Sequence, residues 1–190
     1  SHNLNLENFI SSKLSVSIQK VTNDTYLKVF DGNIVNTDLK PANLNVLKNE
    51  LKLELDHENY FFESGFESYE SLNKKSNDRY QYILPYYNFD KILSQNYFNG
   101  SISINSSGNN DLNNTNVLKT QIINDINYTG FDIINDYGLK NNLNIYFKNL
   151  NSIGKNDSEL ENSPQIELMS TIKIDSSIPL KKKGSKYLNY

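Results

Sequence analysis

The sequence holds no cysteine and no tryptophan, one methionine (Met169), one arginine (Arg79), two histidines and four prolines among 190 residues. Without cysteine there is no disulfide scaffold, no thiolate zinc site and no cysteine nucleophile. No run of about 18 apolar residues occurs, so no helix is long and apolar enough to span a bilayer. Charge of one sign is also missing. Nineteen Lys and Arg stand against 22 Asp and Glu, a net charge of −3, with the lysines scattered along the chain. That balance argues against nucleic acid as a partner. The opening Ser1-His2-Asn3 lacks an initiator Met, a basic region and an apolar leader core. We read residues 1–190 as part of one domain, cut from a longer protein at both ends.

What the chain has instead is asparagine, its commonest residue, together with 13 Tyr and 9 Phe. Hydrophobic residues make up 37%, and the mean hydropathy is −0.62. So many aromatics are at odds with disorder. Low hydropathy is compatible with a membrane β-barrel, because a barrel strand shows only alternate residues to lipid.

The dominant pattern has period two, which gives each segment one apolar and one polar face in an extended strand. Leu14, Val16 and Ile18 alternate with Ser15, Ser17 and Gln19. Leu51, Leu53 and Leu55 alternate with Lys52, Glu54 and Asp56. Tyr60, Phe62 and Phe66 oppose Glu63 and Glu67. Tyr80, Tyr82, Leu84 and Tyr86 read as one face, opposite Arg79 and Gln81. Ile102 and Ile104 alternate with serines, and Leu143, Ile145 and Phe147 with Asn142, Asn144 and Tyr146. Ile166, Leu168, Ile172, Ile174 and Ile178 hold one phase opposite Gln165, Glu167, Thr171, Lys173 and Asp175. A helical spacing fits only Leu44, Leu47, Leu51 and Leu55, and the strict alternation assigns that segment to a strand.

Short turns are read at Asp56-His57-Glu58-Asn59, at Asn135-Asp136-Tyr137-Gly138 and at Val21-Thr22-Asn23-Asp24. Longer polar links are read over 31–43, 71–78, 105–116 and 149–163. In the segment 117–135 the apolar phase changes from even (Leu118, Ile122, Ile126, Tyr128) to odd (Phe131, Ile133). One extra residue near Thr129-Gly130 restores the face, so a β-bulge is placed there in preference to a tight turn. Pro85 and Pro179 mark strand ends, edges or bulges.

The pattern predicts an all-β, antiparallel up-and-down sheet of nine or ten strands, several long enough to cross a bilayer. Alternation alone leaves open whether the apolar face meets a second sheet, as in a soluble sandwich, or lipid. Three features favour a partial transmembrane barrel: densely polar opposite faces, such as Gln121, Asp125 and Asn127; aromatics near strand ends, in Tyr60, Phe61, Phe62 and in Tyr86, Tyr87, Phe89; and long strands.

Catalytic candidates are few. His2 is terminal, and His57 lies in a polar turn. His57 and Ser64 fall on facing strands but form no recognised motif. Glu67 and Glu70 read as a solvated face. Gly154-Lys155-Asn156 lacks the glycine and hydroxyl residue of a phosphate loop. Lys181-Lys182-Lys183 reads as a charged turn. Asn113-Asn114-Thr115 is an acceptor triplet of the kind composition alone produces. We expect no enzyme activity, no cofactor and no metal.

The stretch Asp78-Arg79-Tyr80-Gln81-Tyr82-Ile83-Leu84-Pro85-Tyr86-Tyr87 resembles the R-Y-x-x-L-P strand of the barrel domain of the LptD (OstA, organic solvent tolerance protein) family. Two further stretches look like the same family. One is Ser107-Gly108-Asn109-Asn110-Asp111-Leu112 with Asn114-Thr115-Asn116. The other runs from Lys148-Asn149-Leu150-Asn151 through Gly154-Lys155-Asn156-Asp157-Ser158-Glu159 to Ser163-Pro164-Gln165-Ile166-Glu167-Leu168. The resemblance implies a barrel in the cell outer membrane that receives lipopolysaccharide from periplasmic bridge proteins and releases it into the outer leaflet. It implies outer-membrane lipid as surroundings and an LptE-type lipoprotein plug. The family's periplasmic jellyroll, its cysteine pairs and its lateral opening are not recognisable here, so no functional residues carry over. A generic porin or receptor barrel and a secreted β-rich binding module are the alternative readings.

Overall fold

The computed structural model describes residues 1–31, 43–74, 79–97 and 99–178. Pro179 and the Lys181-Lys182-Lys183 stretch fall outside these residues, as does Asp78. The described chain forms one antiparallel sheet of ten strands. They are β1 (His2–Asn3), β2 (Ser11–Ser17), β3 (Val46–His57), β4 (Tyr60–Ser71), β5 (Tyr80–Tyr97), β6 (Gly100–Asn113), β7 (Val117–Gly130), β8 (Ile133–Ile134), β9 (Lys140–Lys155) and β10 (Gln165–Ser177), with one short helix, α1 (Tyr26–Val29). Each strand pairs with its sequence neighbour, except that β8 continues β7 along the same partner, β9. β1 and β10 are the ends of the order and do not pair with each other, so the described sheet is open. The strands from β3 to β7, with β9 and β10, run 12 to 18 residues.

The leucine alternation of 51–55 resolves as strand, inside β3. Two residues, Glu58 and Asn59, turn β3 into β4. Residues 135–139 turn β8 into β9, with Gly138 at φ +77°, a conformation that costs glycine little. The segment 21–24 is not a hairpin turn. It leads into α1, with the Tyr26 N–H bonded to the Asn23 carbonyl at 3.2 Å.

Register settles the bulges. Thr129 pairs with Asn144 and Ile133 with Asn141. Four steps on one side oppose three on the other, so one extra residue lies between Gly130 and Ile133, as the change of phase predicts. The Asn142 side-chain amide donates to the Gly130 carbonyl at 2.6 Å, satisfying an acceptor near the irregularity. A second bulge was not expected. Against β4, Gly65 pairs with Tyr86 and Glu67 with Ile83. Against β6, Asn109 pairs with Tyr86 and Asp111 with Ile83. β5 therefore carries one residue more than either neighbour, at Leu84-Pro85, where proline has no N–H to give the ladder. The bulge overturns the expectation that Tyr80, Tyr82 and Tyr86 share a face: Tyr86 points to the opposite one.

Two of the expected polar links are shorter than read. Residues 105–113 belong to β6, leaving a turn of three residues, and β9 runs to Lys155, leaving a loop over 156–164. Asparagine is depleted in strands, but these amides find partners across the ladder. Thr120 Oγ1 donates to Asn110 Oδ1 at 2.7 Å, and Gln81 Nε2 donates to the Asp111 carboxylate at 3.0 and 3.1 Å. The aromatic group Tyr86, Tyr87 and Phe89 lies within β5, not at a strand end.

Candidate functional site: the enclosed polar face

Residues paired directly across an antiparallel ladder project to the same face. Followed from strand to strand, the pairing sorts the sheet into two surfaces. The apolar surface carries Leu14 and Val16, Leu51, Leu53 and Leu55, Phe62 and Phe66, Tyr87 and Phe89, Ile102 and Ile104, Ile126 and Tyr128, Ile145 and Phe147, and Ile172 and Ile174. The other surface carries Lys48, Glu50, Lys52 and Glu54 of β3, Glu63 and Glu67 of β4, and Gln121, Asp125 and Asn127 of β7.

On β3 and β4 exposure is inverted relative to a water-soluble sheet. On the polar surface the side chains of Glu67, Glu63 and Lys52 are 12%, 21% and 25% exposed. On the apolar surface of the same two strands Leu51 and Phe66 are 40% and 46% exposed. The only buried hydrophobics among the described residues are Leu27, Leu47 and Leu72, where α1 meets β3. Burying an isoleucine side chain is worth about 1.5–3 kcal/mol, and the apolar surface leaves Ile122, Ile126 and Ile145 exposed on inner strands.

The polar surface is organised by cross-strand charge. Lys48 Nζ lies 2.8 Å from Glu67 and 3.2 Å from Glu50. Lys52 Nζ lies 3.1 Å from Glu54 and 3.7 Å from Glu63. Tyr69 donates its hydroxyl to Glu67 at 2.5 Å. Further along, Lys148 meets Asp125 at 3.2 Å. Lysine and glutamate alternate along β3, so each lysine stands between its own strand's glutamate and one on β4, and offsets the glutamates that pair directly across the ladder, Glu50 with Glu67 and Glu54 with Glu63. Gly65 makes room for Tyr86 on this surface: a Cβ at Gly65 would stand 2.9 Å from the Tyr86 ring and 2.5 Å from the Leu51 carbonyl oxygen.

The apolar surface contains a polar line that period-two reading missed. Tyr87 Oη and Ser106 Oγ are 3.1 Å apart, Ser106 Oγ donates to Asn124 Oδ1 at 2.7 Å, and Asn124 Nδ2 donates to Asn149 Oδ1 at 3.1 Å. The signal was the missing apolar residue at 124, between Ile122 and Ile126. Each group is hydrogen-bonded to the next, which makes the line tolerable on an apolar surface.

At the rim with the longer loops, Arg79 binds two acids. Its Nη1 and Nη2 donate to the Asp24 carboxylate at 2.8 and 2.6 Å, and its Nε donates to Glu70 Oε1 at 2.7 Å. The guanidinium holds the Asp24 carboxyl below the usual carboxylate range. Sequence reading places Asp24 in a turn and gives it no partner, because 55 residues separate it from Arg79.

The catalytic candidates do not come together. His57 Nδ1 accepts the Asn59 N–H at 3.2 Å, and its ring stacks on Tyr60 with centroids 4.6 Å apart. Ser64 Oγ donates to the Tyr86 carbonyl at 2.8 Å. Glu67 and Glu70 project to opposite faces, one toward Lys48 and the other toward Arg79. Gly154 and Lys155 end β9, and Asn156 begins the loop. Asn113 ends β6. Among the described residues no group of three or more His, Cys, Asp or Glu is placed to hold a metal ion. No family model and no curated protein matches this chain.

Proposed function

We propose that the chain forms a wall section of an outer-membrane β-barrel that delivers lipopolysaccharide to the outer leaflet. Its apolar surface faces lipid and its ion-paired surface lines the lumen. The observation that carries the barrel reading is the exposure on β3 and β4, where Glu67 and Lys52 are the more covered side chains and Leu51 and Phe66 the more open ones. In water the inverse arrangement is favoured; in hydrocarbon this one is. Strands of 12 to 18 residues exceed the 9–11 that a tilted crossing needs. The open sheet fits a section of a larger barrel. The lipopolysaccharide role, the periplasmic bridge proteins and the LptE-type plug rest on the family resemblance of residues 78–87, 107–116 and 148–168.

Two measurements test this reading. Expressed alone, the chain should be insoluble without detergent, because an open sheet exposes unpaired edges. A monodisperse soluble monomer with a cooperative thermal transition overturns the barrel. In cells depleted of the full-length protein, lipopolysaccharide should fail to reach the surface. Normal surface lipopolysaccharide with loss of a solute permeability would assign a porin-type barrel instead.

A further inference from the structure

We infer that the end of β9 and the loop that follows form a binding site for an anionic phospholipid, one whose phosphate charge no headgroup cation offsets, on the outside of the wall. A cleft of about 400 Å³ is lined by Leu118, Ile153, Gly154, Lys155, Asn156 and Asn162. That volume lies within the usual range for ligand sites. Its floor is apolar and belongs to the lipid-side surface: Leu118 pairs with Lys155, and Ile153 pairs with Thr120 on that same face. Leu112, paired with Leu118, extends the apolar floor onto β6.

The polar end of the cleft is cationic. Lys155 is exposed and has no ion-pair partner among the described residues, whereas Lys119 and Lys148 are held by Glu159 and Asp125. The loop that shapes the cleft is folded back on itself. Asp157 Oδ1 accepts the N–H groups of Glu159 and Leu160 at 2.8 and 2.9 Å, and the Gly154 N–H bonds to the Glu161 carbonyl at 2.8 Å. None of the loop's three carboxylates lines the cleft. Asp157 is spent on backbone, Glu159 on Lys119, and Glu161 accepts the Ser163 hydroxyl at 3.3 Å. An apolar floor beside a free ammonium and an amide fits an acyl chain with a phosphate at its head. Lys155 supplies the charge, Asn162 a donor, and Leu118 and Ile153 the acyl contact. The inference rests on the lipid-facing reading of the apolar surface.

The test uses the whole chain refolded in dodecyl maltoside and titrated with dioleoyl phosphatidylglycerol or dioleoyl phosphatidylcholine, with bound lipid counted by native mass spectrometry. The expected result is preferential retention of phosphatidylglycerol. Lys155→Gln should weaken it about fivefold, the worth of one lysine near an anionic surface. Lys155→Arg should retain it, and Lys148→Gln, on the other face, should leave it unchanged. Equal phosphatidylglycerol binding by wild type and Lys155→Gln overturns the site, as does displacement of the lipid by inorganic phosphate at equal concentration. Phosphatidylcholine bound with no preference between lipids overturns the site but keeps the barrel. A chain that stays soluble without detergent and binds neither lipid overturns both.

Discussion

Tyr82 and Tyr86 stand on opposite faces of the sheet although four positions separate them. Tyr82 pairs with Ser68 and Leu112, whereas Tyr86 pairs with Gly65 and Asn109. The extra residue at Leu84-Pro85 inverts the phase of everything beyond it on β5. The chain has no native cysteine, so single cysteines report facing directly. In detergent-refolded protein, Tyr86→Cys should react with a charged, water-soluble maleimide several-fold faster than Tyr82→Cys. Equal rates, or the reverse order, would mean that the bulge does not set the facing of these two positions.

The same pair shows where a sequence can and cannot be read. At Leu51, Leu53 and Leu55, or at Ile172 and Ile174, the apolar residue type is confined to one face, so alternation reports facing without a structure. The bulge near Gly130 was legible because Phe131 and Ile133 break a phase that Ile122 and Ile126 had set. On β5 the tyrosines at 80, 82, 86 and 87 occupy both faces, so the residue type carries no phase and the bulge leaves no trace. Residues 105–113 were hidden for a different reason. Asn and Ser favour turns by local propensity, and only cross-strand partners such as Thr120 and Gln81 hold them in a strand. The Arg79–Asp24 contact is tertiary and has no local signature.

Facing on the last strand is testable by charge. Ile172 pairs with Ile145 on the apolar surface, and Thr171 pairs with Tyr146 on the polar one. A lysine facing lipid near the bilayer midplane costs roughly 2–4 kcal/mol. Ile172→Lys should therefore reduce assembly of the full-length protein in the outer membrane, while Thr171→Lys should be tolerated. The measurement is the folded, heat-modifiable fraction on unboiled gels. Equal tolerance at the two sites would mean that the strand does not face lipid there.

The Arg79 contact with Asp24 and Glu70 joins the segment before α1 to β4. The folded state lowers the Asp24 pKa, so its contribution is present above the unfolded carboxylate pKa and is lost as pH falls through the lowered value. From pH 8 to pH 5 the contact should be unaffected; it should fail only below about pH 4. Arg79→Lys replaces a planar fork with a point charge that cannot serve two carboxylates with the same geometry. Amide hydrogen exchange over residues 21–30 should accelerate several-fold in Asp24→Asn and in Arg79→Lys at pH 7. Exchange that matches wild type in both variants would show that the small cluster of Leu27, Leu47 and Leu72 holds the segment without the arginine.

His57 is the remaining candidate for chemistry. A hydrolytic pair needs a histidine free to take a proton from a nearby hydroxyl. Here Nδ1 of His57 already accepts the Asn59 N–H, its ring lies against Tyr60, and Phe9 meets it edge-on with centroids 5.8 Å apart. The Ser64 hydroxyl donates its hydrogen bond to the Tyr86 carbonyl on β5, and Ser64 pairs with Leu53 rather than with His57. The histidine thus fills an aromatic cluster at a strand end, a packing role that needs a ring and no proton transfer. His57→Phe should keep that packing, and His57→Ala should lose only part of it. In full-length protein, both variants should leave surface lipopolysaccharide unchanged in cells depleted of the wild-type copy. A severe loss in both, with normal barrel assembly, would overturn the packing role and restore the His57–Ser64 pair as a hydrolytic site.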